Sequence, residues 1–174
     1  MPSNAQAFYQ QKRDDLIKDF EKFREKPYLD SVGVPTIGYG TTQYPDGRPV
    51  TMNDQPITED VADTYFQHHV GEFNDHIRQS PGFTDLDQGT QAALTSFAYN
   101  TGPNVFTAER GYDTLQGAVR SGDKQQIADA MRLYNNGGNK GLIRRREAEI
   151  DLMNTPYMSP NPYNGGDMSP NPYR

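Results

Sequence analysis

A periodic run behind Thr58 limits what this chain can fold into more than any other feature. Val61, Tyr65, Phe66, Val70, Phe73 and Ile77 recur at helical spacing, and the Thr58 hydroxyl in front of them suits a helix cap. The spacing predicts a strong helix of about twenty residues. An earlier stripe, Leu16, Phe20 and Phe23 with Ile17 beside them, predicts another helix between about residues 5 and 24. Pro27 is expected to end it, because proline lacks a backbone donor and restricts Lys26 before it. Between these helices, "VPTIGYGTT" and "RPVTM" read as short strands around a turn at Pro45, Asp46 and Gly47. Further helices are expected near 84–101, 107–120, 123–135 and 141–154, with Gly102 and the "NNGG" of 135–138 as stops. The pattern is α+β, mostly helical, with one small β segment.

Composition narrows the function classes. The 174 residues suffice for one domain plus a tail. Mean hydropathy is low at −0.91, yet eleven Tyr and eight Phe supply large burial per residue. Without cysteine, disulfides and thiolate metal sites are excluded. The first twenty residues lack the apolar run of a signal peptide, and no later stretch approaches the roughly 20 apolar residues of a membrane span, so neither an export signal nor membrane insertion is expected. A net charge of −6 argues against a nucleic-acid partner bound through its phosphates. The basic excess sits late, at Arg144, Arg145 and Arg146, either as a solvated helix face or as a local contact patch.

After Thr155 the composition changes. The hexapeptide MSPNPY occurs at 158 and again at 168, and five prolines with almost no aliphatic residues leave little to bury. Residues 156–174 are either an uncommitted tail or a docking peptide that uses its tyrosines on a partner. The boundary is expected at 155, with 1–155 forming the folded domain.

Glu21 falls about 40° from Ile17 around the first helix, at the edge of its apolar stripe where a carboxyl can be half desolvated. Asp30 lies in a turn and Thr36 just beyond it. Breaking a glycosidic bond near neutral pH needs one carboxyl that stays protonated and one that stays ionised, and these settings suit the two jobs. A hydroxyl at Thr36 can hold the attacking water. Spacing alone does not bring the groups together, since nine residues can span about 30 Å when extended. Ordinary solvated acids would look the same.

Glu21, eight residues, Asp30, five residues and Thr36 opening "TIGYG" resemble the catalytic signature of phage-type lysozymes, glycoside hydrolase family 24. "QAALTSFAYNTG" at 91–102 is similar to that family's central buried helix, and "GLIRRREAEIDLM" at 141–153 to its arginine-rich C-terminal helix. The resemblance covers about residues 10–154. It implies a lysozyme-like fold in which a small sheet lobe and a helical lobe are joined by a long helix, here the one behind Thr58. It also implies a muramidase that cleaves the β-1,4 bond between N-acetylmuramic acid and N-acetylglucosamine, with inversion and without a cofactor. Carried over residue by residue, Glu21 would be the general acid, Asp30 the base or electrostatic partner, and Thr36 the water-positioning hydroxyl. Arg145 would lie against Glu21, while Tyr99 and Asn100 would line the cleft floor, Tyr99 being equally suited to the core. The chain departs from the family at Lys22, where Gly is common, and at Thr41, where His often stands and could form a folding ion pair.

Taken together, these features describe a monomeric peptidoglycan hydrolase of the endolysin type, held in the host cytoplasm until a separate pore releases it. Two alternatives are a virion-borne lysozyme docked through residues 156–174 and an inactive wall-binding module with the same fold. Wall contact would fall to local groups and the Arg144–Arg146 region, because the overall charge is negative. A metal site is not expected: His68 and His69 are helix neighbours that should point apart, and no second ligand cluster stands out beside them or His76. "GYG" and "GGNKG" read as turns rather than phosphate loops.

Overall fold

A computed structural model describes residues 2–106 and 113–159. Helix α1 (Asn4–Glu21) leads into a two-stranded antiparallel sheet, β1 (Arg24–Leu29) and β2 (Pro35–Gly38). Helix α2 (Glu59–Ile77) follows, then α3 (Gln88–Thr101), α4 (Asp113–Ser121), α5 (Lys124–Arg132) and α6 (Lys140–Asn154), with short 3-10 turns at Phe83–Asp85 and Pro103–Phe106. Residues 107–112, the start of one expected helix, and 160–174, most of the repeated tail, lie outside the described residues.

Local chemistry accounts for most helix starts. Thr58 accepts the Val61 N–H at the head of α2, Asp87 accepts from Gly89 and Thr90 at α3, and Asp123 and Asn139 do the same for α5 and α6. The stop of α1 corrects the sequence expectation. The helix ends at Glu21, where Lys22 turns the chain with φ 59°, and Pro27 lies inside β1. A proline sets the last residue a helix can reach, and here a left-handed residue ends it earlier. Pro27 falls in the stretch between Arg24 and Tyr28 where pairing with β2 slips register, the kind of place where a missing donor costs no ladder bond. The expected "RPVTM" strand is reduced to a hairpin arm: Tyr44 N–H bonds Arg48 O and Val50 N–H bonds Thr42 O, with one isolated bridge between Gln43 and Pro49.

The core is divided, and α2 joins its parts. Ala62, Phe66 and Val70 pack with Ile17 and Tyr39 under the sheet lobe, and Ile37, Tyr44 and Val50 form a satellite cluster beside them. Ile77 at the other end of α2 enters the helical lobe with Phe83, Leu94, Phe97, Ile127, Met131, Ile150 and Met153. At about 1.5 Å per residue the helix spans roughly 28 Å, enough to hold the two lobes apart. Helix α3 is buried along nearly its whole length, and its small residues Ala92, Ala93, Ser96 and Ala98 let α1 and α6 close on it. Past α6 the chain returns to α1, where the Tyr9 hydroxyl donates to Thr155 O at 2.8 Å and Tyr157 packs on Phe8 with ring centroids 5.5 Å apart. The first residues of the tail are thus in contact with the domain.

Candidate active site

Glu21 is the last residue of α1, so its side chain leaves the helix where the chain turns into the sheet lobe. Its Oε1 accepts a hydrogen bond from Arg145 Nη1 at 2.7 Å, a partner 124 positions later on α6. Gly40 stands on the other side. A Cβ added there would come within 3.4 Å of Glu21 Oε2, and φ is +91° at this position, so glycine leaves room beside that oxygen and accommodates the turn. Glu21 keeps 23% of its side-chain surface exposed, whereas Arg145 keeps 5%.

Arg145 is fixed from behind. Its Nε donates to Glu149 Oε1 at 3.3 Å, the same oxygen accepts from Ser96 at 2.9 Å, and Arg146 Nε lies 3.2 Å from Glu149 Oε2. Arg146 also donates to Asn100 Oδ1 at 2.6 Å and lies over the Phe97 ring. Burial pushes the Glu149 carboxyl up, with Arg146, Arg145 and Ser96 pulling the other way. The arginine run is therefore split. Arg145 and Arg146 are buried, and only Arg144 remains exposed, stacked near Phe20, which corrects both the solvated-face and the whole-patch expectations.

Asp30 closes the hairpin tip. Its Oδ1 accepts from the N–H groups of Val32 and Val34 at 2.9 and 2.8 Å, and its own N–H donates to Val34 O. Among the described residues no hydrogen bond goes to Oδ2. Thr36 faces Tyr28 across the sheet, is almost fully buried, and donates its hydroxyl proton to Val34 O at 2.9 Å. Tyr28 lies near both acids. Burial raises its phenol pKa, the Glu21 charge raises it further, Arg24 opposes, and Asp30 adds to the rise. Tyr99 donates to Tyr39 O at 2.7 Å and packs on Phe66 and Phe73, and its phenol is pushed up by burial and then by Glu21.

Of the residues singled out from sequence, Glu21 and Arg145 are in direct contact. Tyr99 lies beside them within electrostatic range, and Asn100 is tied to Arg146 instead. Among the described residues Thr36 forms no hydrogen bond to either carboxylate. Tyr28, Ser96 and Glu149 were not singled out. Glu149 could have been found, because it lies three and four residues beyond Arg146 and Arg145, a helical ion-pair spacing. Its burial could not.

Comparison with known proteins yields consistent matches. Residues 18–149 match the phage lysozyme family. A SAR-endolysin of Bacteriophage PS119 is 32% identical over 139 residues, covering 76% of this chain and 75% of that relative. The endolysin of Salmonella phage P22 is 31% identical, covering 78% and 92%. Among solved structures, the endolysin from Escherichia coli O157:H7 phage FAHEc1 superposes with a TM-score of 0.68 at 33% identity, over 82% of this chain and 90% of that one.

Proposed function

Because the chain belongs to the phage lysozyme family, and is thereby a muramidase that hydrolyses peptidoglycan, we propose that Glu21 is its general acid, Asp30 its base and Thr36 the group that holds the attacking water. The observation that carries this reading is the 2.7 Å hydrogen bond by which Arg145 reaches Glu21 from the opposite lobe.

The hydrogen bonding supports a division of labour between oxygens. Arg145 can only donate, so a proton on Glu21 belongs on Oε2, beside the space that Gly40 keeps open. From there it passes to the glycosidic oxygen as the bond breaks. Asp30 Oδ1 is committed to the hairpin tip, which leaves Oδ2 to take a proton from water. Thr36 spends its own proton on Val34 O, so its lone pairs accept the other water hydrogen. The water then attacks the anomeric carbon from the face opposite the departing sugar, which inverts the configuration and needs a carboxyl separation of about 6.5–9.5 Å.

Clearing of a peptidoglycan suspension tests the assignment. Glu21→Gln should lose about 10²- to 10⁴-fold in rate, the usual contribution of a general acid. Clearing equal to wild type would overturn the acid role, and no clearing by either protein would favour a wall-binding module. The anomer released in the first seconds, read by NMR, tests inversion. We further propose that the enzyme works as a monomer and waits in the host cytoplasm for a separate pore, since its substrate lies beyond the membrane. Periplasmic accumulation of the chain expressed alone would refute that route. Recovery of the protein in purified virions, lost on deleting residues 156–174, would instead make it particle-borne.

A further inference from the structure

Helix neighbours normally diverge, yet on α2 two histidines meet. His68 Nε2 lies 3.4 Å from Glu72 Oε1, and His69 Nδ1 lies 3.1 Å from Glu72 Oε2. Their rings approach edge to face with centroids 5.4 Å apart. Glu72, one turn further on, reaches back and presents one oxygen to each ring, which is how side chains about 100° apart around the helix come to converge. One nitrogen from each histidine and a carboxylate oxygen all lie within 4.8 Å of one another. The expectation that these neighbours point apart is thereby corrected.

We propose that His68, His69 and Glu72 form a binding site for a divalent transition-metal cation of the zinc class, separate from the hydrolytic centre. Zinc holds nitrogen and oxygen ligands at about 2.0–2.2 Å in a tetrahedron, which places neighbouring ligand atoms roughly 3.3 Å apart. The two contacts to Glu72, 3.1 and 3.4 Å, are of that size but run to different carboxylate oxygens, and one atom from each residue already lies within 4.8 Å of the others. The remaining gap closes with small side-chain rotations, because Glu72 and His68 are the more exposed members and free to adjust. Two imidazoles with a single carboxylate suit zinc and disfavour magnesium and calcium, which demand oxygen-rich shells. Water completes the coordination. His69 and Glu72 border a cavity of about 320 Å³ with Thr42, Gln43, Phe73 and His76, which gives those waters room and the ion a way in.

The site contains neither Glu21 nor Asp30 but is linked to the surroundings of Glu21 by packing. Phe73 from the same cavity packs on Tyr99, whose hydroxyl holds the backbone just before Gly40. A cation would fasten the turn of α2 that carries Phe73 and so supports Tyr99 beside Glu21.

The test uses the full chain without an affinity tag, stripped of metal and titrated with zinc chloride by calorimetry, and separately followed by thermal unfolding. One zinc per chain and a rise in melting temperature are expected. His68→Ala and Glu72→Gln, both at exposed positions, should weaken binding at least about tenfold. His76→Ala should bind as wild type does, and magnesium at the same concentration should give no response. Shifts confined to two of the three histidine ring signals in ¹H–¹⁵N spectra would identify the ligands without any substitution. Absence of binding, or affinities in His68→Ala and Glu72→Gln equal to wild type, would overturn the proposal.

Discussion

Replacing Glu149 by Gln tests the physics beneath the proposed active site. Glu149 is fully buried between Arg145 and Arg146, which are 4% and 1% exposed, so one buried carboxylate serves two guanidiniums. Glu149→Gln keeps the shape but leaves both guanidiniums without that carboxylate where water cannot screen them. Removing one partner of a buried ion pair costs about 3–5 kcal/mol. For a domain of this size each kcal/mol lowers the melting temperature by about 2–4 °C, so a fall of about 6–20 °C is expected. Urea unfolding with an unchanged slope would give the free energy directly. The double variant Glu149→Leu, Arg146→Leu should recover at least half of the loss, because a buried pair exchanged for apolar side chains of similar volume is often neutral. A loss below about 1 kcal/mol in Glu149→Gln, the value of an ordinary exposed pair, would refute the view that this charge is needed to bury the arginines.

Lys22→Gly should stabilise the fold by about 1 kcal/mol, since relief of a strained φ of 59° outweighs the entropy glycine adds to the unfolded chain and the loss of an exposed ion pair with Asp19; denaturant midpoints will show it. Tyr157→Ala should cost about 0.5–1.5 kcal/mol from the lost ring pair with Phe8 and speed proteolysis after α6, and unchanged cleavage would mean that the contact does not hold the chain end. Stability should fall as pH drops from about 5 toward 2. The Glu147 carboxyl is held below its usual range by Arg132, and that of Asp123 by the N–H groups at the head of α5, so each contributes stability above its unfolded pKa of about 4 and loses it as acid protonates the folded form. A pH-independent melting temperature below pH 4 would contradict this.

Some of this molecule could be read without coordinates. Thr58 and the stripe from Val61 to Ile77 define α2, because cap and period are local properties. Gly102 stops α3 for the same reason, whereas α5 ends at Arg132, capped by Leu133, before the expected stop at 135–138 is reached. Strand β1 escaped notice because Arg24, Glu25, Lys26 and Pro27 carry no alternating apolar pattern, and their strand geometry comes from pairing with β2. Pro27 misled because it marks a limit, whereas the stop was made by Lys22.

The sequence determined a mostly helical chain around one small sheet, and its resemblance to the phage-type lysozyme signature singled out Glu21, Asp30 and Thr36 where residue types alone would equally have fitted solvated acids. Only the tertiary structure decided that Arg145 meets Glu21 and that Glu149 and both arginines are buried together. Periodicity and caps act over one or two turns and are written in consecutive residues. Burial, and the pairing of Arg145 with Glu21 across 124 positions, depend on distant segments arriving at the same place, which no short stretch encodes.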